Sequence, residues 1–351
     1  MNYQKLVRMM DEGLFIIGEA GVNHNGDLEI AKGLVDVAKA AGCDAVKFQT
    51  WITEKVYSRA LSLKPEYQMR TTDRAESEFD TIKKLELSFD AFRELKKYCD
   101  HREIVFFSTP DERESVDFLI DIGAPLLKTA SQDVTNLPFL RHVAKAGLPL
   151  IVSTGACRLS EIAEAIETIS SENQDLVILH CLSAYPAPLE DLNLNVIPVL
   201  RQMFGYPVGF SDHTTGTAAA CAAVALGARI FEKHFTYNRS ASGPDHQASL
   251  SPAELKEYVD TLRAVHSSLG DGHKRVMSSE ENTRKAFRRF LVTARPIRKG
   301  ARFEESDFVF KKTGSGLSPA VLERFVGEKA ARDIPEDALM DWDFVEFGAP
   351  R

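Results

Sequence analysis

Short apolar runs, rich in β-branched residues and each closed by a polar or Gly-containing cluster, recur along most of the chain. They lie at 14–20 (LFIIGEA), 45–51 (AVKFQTW), 104–110 (IVFFSTP) and 126–131 (LLKTAS). Four more follow at 148–155 (LPLIVSTG), 176–183 (LVILHCLS), 206–213 (YPVGFSDH) and 228–236 (ARIFEKHFT). Continuous apolar runs this short predict strands buried on both faces, the pattern of a parallel sheet. The segments between them have helical period. Over 27–42, Leu28, Ala31, Leu34, Val35, Ala38 and Ala41 share one face, Asp27 is placed to cap the start and Gly42 to end it. The same theme recurs at 87–100, 115–123, 159–170, 215–227 and 251–270. Eight strand–helix units predict an α/β chain with a (β/α)8 TIM barrel. The second and third runs start 59 residues apart, and the charge-dense excursion at 52–86 is placed to act as a flap over the barrel mouth.

The pattern changes after Gly270. Residues 271–286 are polar and charged, as in a linker, and 287–351 read as short strands broken by Gly and Pro. The expected organisation is therefore a barrel over 1–270, a linker over 271–286 and a small irregular β domain over 287–351.

Composition narrows the function. Lys and Arg number 43 against 51 Asp and Glu, a formal charge of −8 over 351 residues, which argues against a nucleic-acid partner. The five cysteines include no Cys-x-x-Cys pair, so neither a disulfide framework nor a zinc knuckle is expected. No signal peptide and no membrane span are read, and a cytoplasmic protein without membrane partners is the expectation.

Barrel enzymes carry their chemistry at the carboxyl ends of the strands. Here those ends bring Glu19, Lys47 and Gln49, Ser108 and Thr109, Lys128 and Ser131, Ser153, His180 with Ser183 and Tyr185, Ser211 with Asp212 and His213, and Glu232 with Lys233 and His234. A Lys inside an apolar strand is costly unless an anion compensates it. Lys47 and Lys128, with hydroxyls around them, fit a nest for a phosphate or carboxylate; the alternative is that each pairs with an acid on a neighbouring strand. His213 and His234 end adjacent strands and can share a divalent ion, or serve as packed imidazoles or general bases. Glu19 is placed to move a proton, to hold a substrate hydroxyl, or to pair with a strand Lys. His24 and His180 read as framing residues or packed imidazoles. The polar loop at 238–250, with Asp245, can fold over the mouth.

GEAGVNHNGDLEIAKGLVDVAKAAGCDAVKFQTW, FFSTP, KTASQD, STGA, HCLSAYPAPLEDLNL, GFSDHT, ARIFEKHFT and GPDHQASLSP occur in this order. Together they resemble the N-acetylneuraminate (sialic acid) synthase family, which includes legionaminate, pseudaminate and spore-coat polysaccharide synthases. KKTGSGLSP and VGEKAARDI in the tail look like that family's antifreeze-like (SAF, β-clip type) domain. The resemblance implies a transferase of the N-acetylneuraminate synthase type. It would condense phosphoenolpyruvate with N-acetylmannosamine or a related N-acylated amino sugar. His213 and His234 match the metal-binding histidines, for manganese, magnesium or cobalt. Lys47, Thr109, Lys128, Ser131, Ser153, Ser183 and Ser211 match phosphoenolpyruvate-holding positions, and Glu19, Gln49, Tyr185 and Asp245 those that hold or activate the sugar. A domain-swapped homodimer is implied as well.

Three stretches depart from the family pattern. Lys312-Thr313-Gly314 stands where an Arg-Pro-Gly stretch is frequent, so Lys312 would meet the N-acyl group without a planar fork. Gln132 stands where Gly is common, and Gln247 where Lys is frequent. GPDHQASL leans toward the sialate and legionaminate branches. The competing readings are another phosphoenolpyruvate-dependent 3-deoxy-ulosonate synthase, which usually lacks such a tail, and a catalytically silent sugar-binding protein.

Overall fold

The computed structural model describes residues 2–346. The chain divides into two compact units, one up to Gly270 and one from Asp271 onward.

The first unit opens with α1 (Tyr3–Glu12) and then alternates strands and helices. These are β1 (Phe15–Gly21), α2 (Leu28–Ala41), β2 (Ala45–Thr50), three short helices α3 (Thr53–Val56), α4 (Glu66–Thr71) and α5 (Glu78–Leu85), and α6 (Phe89–His101). They continue as β3 (Val105–Pro110), α7 (Arg113–Asp121), β4 (Leu127–Thr129), α8 (Leu137–Ala144), β5 (Leu150–Ser153), α9 (Leu159–Ser170), β6 (Leu176–Cys181) and α10 (Val196–Phe204). The unit closes with β7 (Val208–Asp212), α11 (Ala218–Ala225), β8 (Ile230–His234) and α12 (Pro252–Leu269). The eight strands form a closed parallel barrel in sequence order, with β8 pairing back onto β1. This is the predicted TIM-type architecture.

Local chemistry explains the boundaries. Asp27 accepts hydrogen bonds from the N–H groups of Glu29 and Ile30 to start α2, and Gly42, in the left-handed region at φ 87°, ends it. Ser251 caps α12 in a capping box with Glu254. The apolar stripe of α2 packs outside the barrel with Val46, Phe48 and Phe106 in one continuous core.

The strand period of two does the rest. Phe15, Ile17, Ala45, Phe107, Leu126, Ile151, Val177, Leu179 and Ile230 form a separate cluster that fills the barrel interior. Leu6 and Met10 of α1 belong to that cluster, so α1 plugs the end of the barrel opposite the strand carboxyl termini. Beyond these apolar positions the inward face turns to Glu19, Lys47, Thr109, Lys128, Ser153, Cys181 and Glu232, each two residues further along its strand, and that layer becomes the floor of the site.

The second unit has its own small core of Leu291, Ile297, Phe303, Phe308, Phe325, Ala330, Ile334, Met340 and Val345. It contains α13 (Glu281–Phe287), the antiparallel pair β9 (Arg289–Thr293) and β10 (Phe308–Lys312), and the antiparallel pair β11 (Lys329–Ala330) and β12 (Val345–Glu346). The stretch read as a linker thus carries a helix over most of its second half. Glu281 in the first turn and Arg284 and Lys285 in the last complement the helix dipole. No helix among the described residues is long and apolar enough to cross a membrane.

Candidate active site

One inward residue per strand makes the top layer of the barrel: Glu19, Lys47, Thr109, Lys128, Ser153, Cys181, Ser211 and Glu232, from β1 to β8 in order. Registry sets the neighbours. Glu19 pairs across with Lys47 on one side and with His234 on the other, and Ser211 with Glu232.

The layer is a buried network of two cations and two carboxylates. Lys47 Nζ lies 2.8 Å from Glu19 Oε2 and 3.8 Å from Glu232 Oε2, and donates to Thr109 Oγ1 at 2.9 Å. Lys128 Nζ donates to Glu232 Oε1 at 3.2 Å, and Ser211 Oγ donates to the same oxygen at 3.0 Å. The Lys47–Glu19 contact is an ion pair without hydrogen-bond alignment. Both Glu19 oxygens and Glu232 Oε2 are buried without a hydrogen-bond partner. Lys47 thus pairs with an acid on the neighbouring strand β1, whereas Lys128 on β4 reaches across the barrel to Glu232 on β8, and both pairs border a cavity rather than a sealed core.

That cavity, about 540 Å³, is lined by Glu19, Gln49, Lys128, Ser131, Ser153, Ser183, Tyr185, Ser211, His213, His234 and Asp245, all expected from the sequence. Lys47 and Thr109, 0% and 1% exposed, belong to the same layer but do not line the cavity. Lys312 lies in the second unit at the end of β10, exposed, with its ammonium 4.5 Å from the Phe287 ring centroid. Tyr57, Pro65, Gln68 and Ile82 of the 52–86 excursion also line the cavity, as does Pro244 from the loop after β8.

Burial splits the two carboxyls. It pushes Glu19 up to about 7, only partly opposed by Lys47. Burial also raises Glu232, but Lys128, Lys47 and His234 outweigh it and hold that carboxyl below the ordinary range. Lys128 is likewise disfavoured by burial, and attraction to Glu232 and Glu19 reverses the sign and raises it. One carboxyl is thus poised to exchange a proton near neutrality, while its partner stays ionised. Asp245, desolvated at the mouth, rises to about 6.

One end of the cavity is lined by Gly155, whose N–H donates to Ser131 Oγ at 2.8 Å. A Cβ at this position would collide with Ser183 Oγ and lie 2.9 Å from Cys181 Sγ and 3.0 Å from Ser131 Oγ. Gly155→Ala is expected to fill that end and weaken anion binding about tenfold or more, the worth of one hydrogen bond to a charged group. Calorimetry with phosphoenolpyruvate, beside a melting curve near that of the unaltered protein, checks this.

The rim carries the imidazoles. The His213 and His234 ring centroids are 5.5 Å apart, and the Tyr185 ring lies 4.2 Å from the first and 5.9 Å from the second. His213 Nδ1 donates to the Leu182 carbonyl at 2.8 Å, which leaves a lone pair on Nε2. His234 Nδ1 is buried without a hydrogen bond, 3.9 Å from Asp245 Oδ2. Burial and the nearby His213 hold His234 well below the ordinary histidine range, hence neutral. Among the described residues no cluster of three or more metal-ligating side chains exists. Two adjacent imidazoles with uncommitted nitrogens beside a carboxyl nevertheless suit a catalytic ion, which keeps positions open for substrate.

The sequence places Glu232 among the strand-end groups without giving it a role, and it does not point to Cys181. The signal was available: in IFEKH and LVILHC the two-residue period places Glu232 and Cys181 on the face of Ile230 and Leu179. His24 and His180 are packed as expected, the latter with Nε2 bonded to the Leu192 carbonyl at 2.7 Å.

A closed parallel barrel with a cationic, hydroxyl-rich mouth, followed by a small β unit, defines a two-part barrel enzyme class. Residues 34–274 match the NeuB family and residues 288–346 the SAF domain, so the chain belongs to the NeuB family. It is 40% identical to N,N'-diacetyllegionaminic acid synthase of Legionella pneumophila over 95% of this chain and 94% of that one. Its identity with the Campylobacter jejuni protein of the same name is 41%, over 93% and 98%. Among solved structures, spore coat polysaccharide biosynthesis protein SpsE of Bacillus subtilis superposes with a TM-score of 0.64 at 36% identity, covering 96% of each chain.

Proposed function

We propose that this protein is a nonulosonic acid synthase. It condenses phosphoenolpyruvate, an N-acylated amino sugar and water into a 2-keto-3-deoxy sugar acid and inorganic phosphate. The observation that carries this reading is the buried layer of Lys47 and Lys128 against Glu19 and Glu232, bordered by hydroxyls and rimmed by two imidazoles.

Lys128, Ser131, Ser153, Ser183 and Ser211 receive the phosphate, and Lys47 with Thr109 compensates the substrate carboxylate. Gln49, Tyr185 and Asp245 hold the sugar. His213 and His234 would hold a manganese or magnesium ion, which supplies Lewis-acid polarisation of the open-chain aldehyde. The methylene carbon of phosphoenolpyruvate bonds to the aldehyde carbon, and neutral Glu19 gives its proton to the aldehyde oxygen. Positive charge then develops at the carbon bearing phosphate, where ionised Glu232 offers electrostatic stabilisation. Water adds to that carbon and yields a proton to the Glu19 carboxylate. As the carbon–oxygen bond to phosphate breaks, the hydroxyl left by water becomes the ketone, its proton goes to the departing phosphate, and phosphate leaves against Lys128.

Two results are expected. Glu19→Gln retains phosphoenolpyruvate affinity but lowers kcat about 100-fold or more and loses the fall in rate that otherwise accompanies a rise in pH through about 7. Turnover of the Gln variant at the unaltered rate would remove Glu19 from proton transfer. Comparing kcat/KM for N-acetylmannosamine and a 2,4-diacetamido hexose identifies the acceptor. The relatives named legionaminic acid synthase favour the diacetamido sugar. The same reading makes the enzyme a cytoplasmic, domain-swapped homodimer in which Lys312, exposed at the end of β10, meets the N-acyl group of the partner's substrate.

A further inference from the structure

Behind the two imidazoles, in the layer between barrel and helices, lies a buried charged pair to which the proposed chemistry gives no task. Asp212 ends β7, Lys233 is the penultimate residue of β8, and the two stand in register. Their charged groups are 3.0 Å apart, with neither side chain more than 1% exposed. Each directly precedes a cavity-lining imidazole, His213 and His234 respectively.

The pair is fully satisfied, and its bonds converge on the residue after His213. Asp212 Oδ1 accepts the Thr214 N–H at 2.8 Å and its hydroxyl at 2.7 Å, while Lys233 Nζ donates to the Thr214 carbonyl at 2.5 Å. Tyr258 of α12 donates to Asp212 Oδ2 at 3.2 Å, and the Lys233 ammonium stands 5.4 Å from its ring centroid. Thr214 is thereby held at three atoms. A short closed circuit runs from His213 through its peptide to Thr214, across to Lys233, and through the next peptide to His234.

Stability does not account for such a pair. Desolvating two charges costs about as much as their attraction returns, and apolar replacements of similar shape are often neutral or stabilising. Position does account for it, because successive strand residues point to opposite faces, so locking Asp212 and Lys233 outside fixes the backbone that aims the imidazoles inside. We propose that the Asp212–Lys233 pair, tied to Thr214 and Tyr258, is a positioning device that sets the separation and direction of His213 and His234 and thereby the affinity for a divalent cation. This rests on the reading of the two histidines as metal ligands.

The test is manganese binding to the full-length protein, read from the paramagnetic resonance signal of free Mn2+, alongside phosphoenolpyruvate affinity and a melting curve. Single substitutions at either charge strand the other in the core, so the variant is Asp212→Asn combined with Lys233→Met, which removes both charges and keeps their volumes. The expected result is a melting temperature and phosphoenolpyruvate affinity close to those of the unaltered protein, with Mn2+ bound about 10- to 100-fold more weakly. A folded double variant with unchanged Mn2+ affinity overturns the proposal. Should that variant not fold, Tyr258→Phe, which removes one hydrogen bond from Asp212, decides: weaker Mn2+ binding supports the positioning role and unchanged binding overturns it. An unaltered protein that binds no Mn2+ overturns the metal-ligand reading itself, and this inference with it.

Discussion

Replacing Lys128 by Met lowers kcat/KM for phosphoenolpyruvate by about 100- to 1,000-fold. The ammonium is buried at the cavity wall, where losing one member of a hydrogen-bonded charge pair costs about 2–5 kcal/mol. The same substitution strands Glu232, whose nearest remaining cation is Lys47 at 3.8 Å. Glu232 is ionised in the folded protein because Lys128 and Lys47 outweigh its burial. Without Lys128 its carboxyl pKa rises, and at neutral pH the variant loses about 3–5 kcal/mol of stability. Adding Glu232→Gln removes the stranded charge. The double variant regains most of the stability in a denaturant melt and none of the turnover. Recovery of turnover in the double variant would mean that Lys128 only serves Glu232.

The second large effect is at the rim. His234→Ala lowers Mn2+ affinity at least about 100-fold, more than the loss of an outer-shell partner would, and turnover falls with it. His213→Ala behaves alike, since its Nδ1 bond to the Leu182 carbonyl orients the remaining nitrogen but cannot substitute for it. Phosphoenolpyruvate binding measured without metal persists in both variants, because the Lys and Ser groups proposed to hold it are left in place. Equilibrium dialysis with Mn2+ separates the two effects. Unchanged Mn2+ affinity in both variants would place the ion elsewhere.

Much of this was legible from side-chain periodicity. Lys47 and Lys128 stand out because a Lys in an apolar strand demands an anion, and both sit in the barrel's polar layer. The strand ends were legible for the same reason that the barrel was: each apolar run closes in the residues that line the mouth. Glu232 was harder, since it adjoins Lys233 and the pair EK reads as solvated strand-end charge until the inward face is assigned from Ile230. The helix α1 was not legible. Only Leu6 and Met10 of MNYQKLVRMMDEG are deeply buried, and the surface they cover exists only once eight strands have closed. The helix at 281–287 was missed because Glu281 to Lys285 are all polar and no apolar stripe announces it.

The proposed condensation needs both substrates and a divalent ion in one cavity. Its most direct test is phosphate release from phosphoenolpyruvate by the unaltered protein with Mn2+, across N-acetylmannosamine and 2,4-diacetamido hexoses, with the 2-keto acid product quantified in parallel. Equal amounts of phosphate and 2-keto-3-deoxy acid, formed only with sugar present and abolished by chelator, are predicted. Phosphate release without sugar, or none with any sugar in the panel, would contradict it.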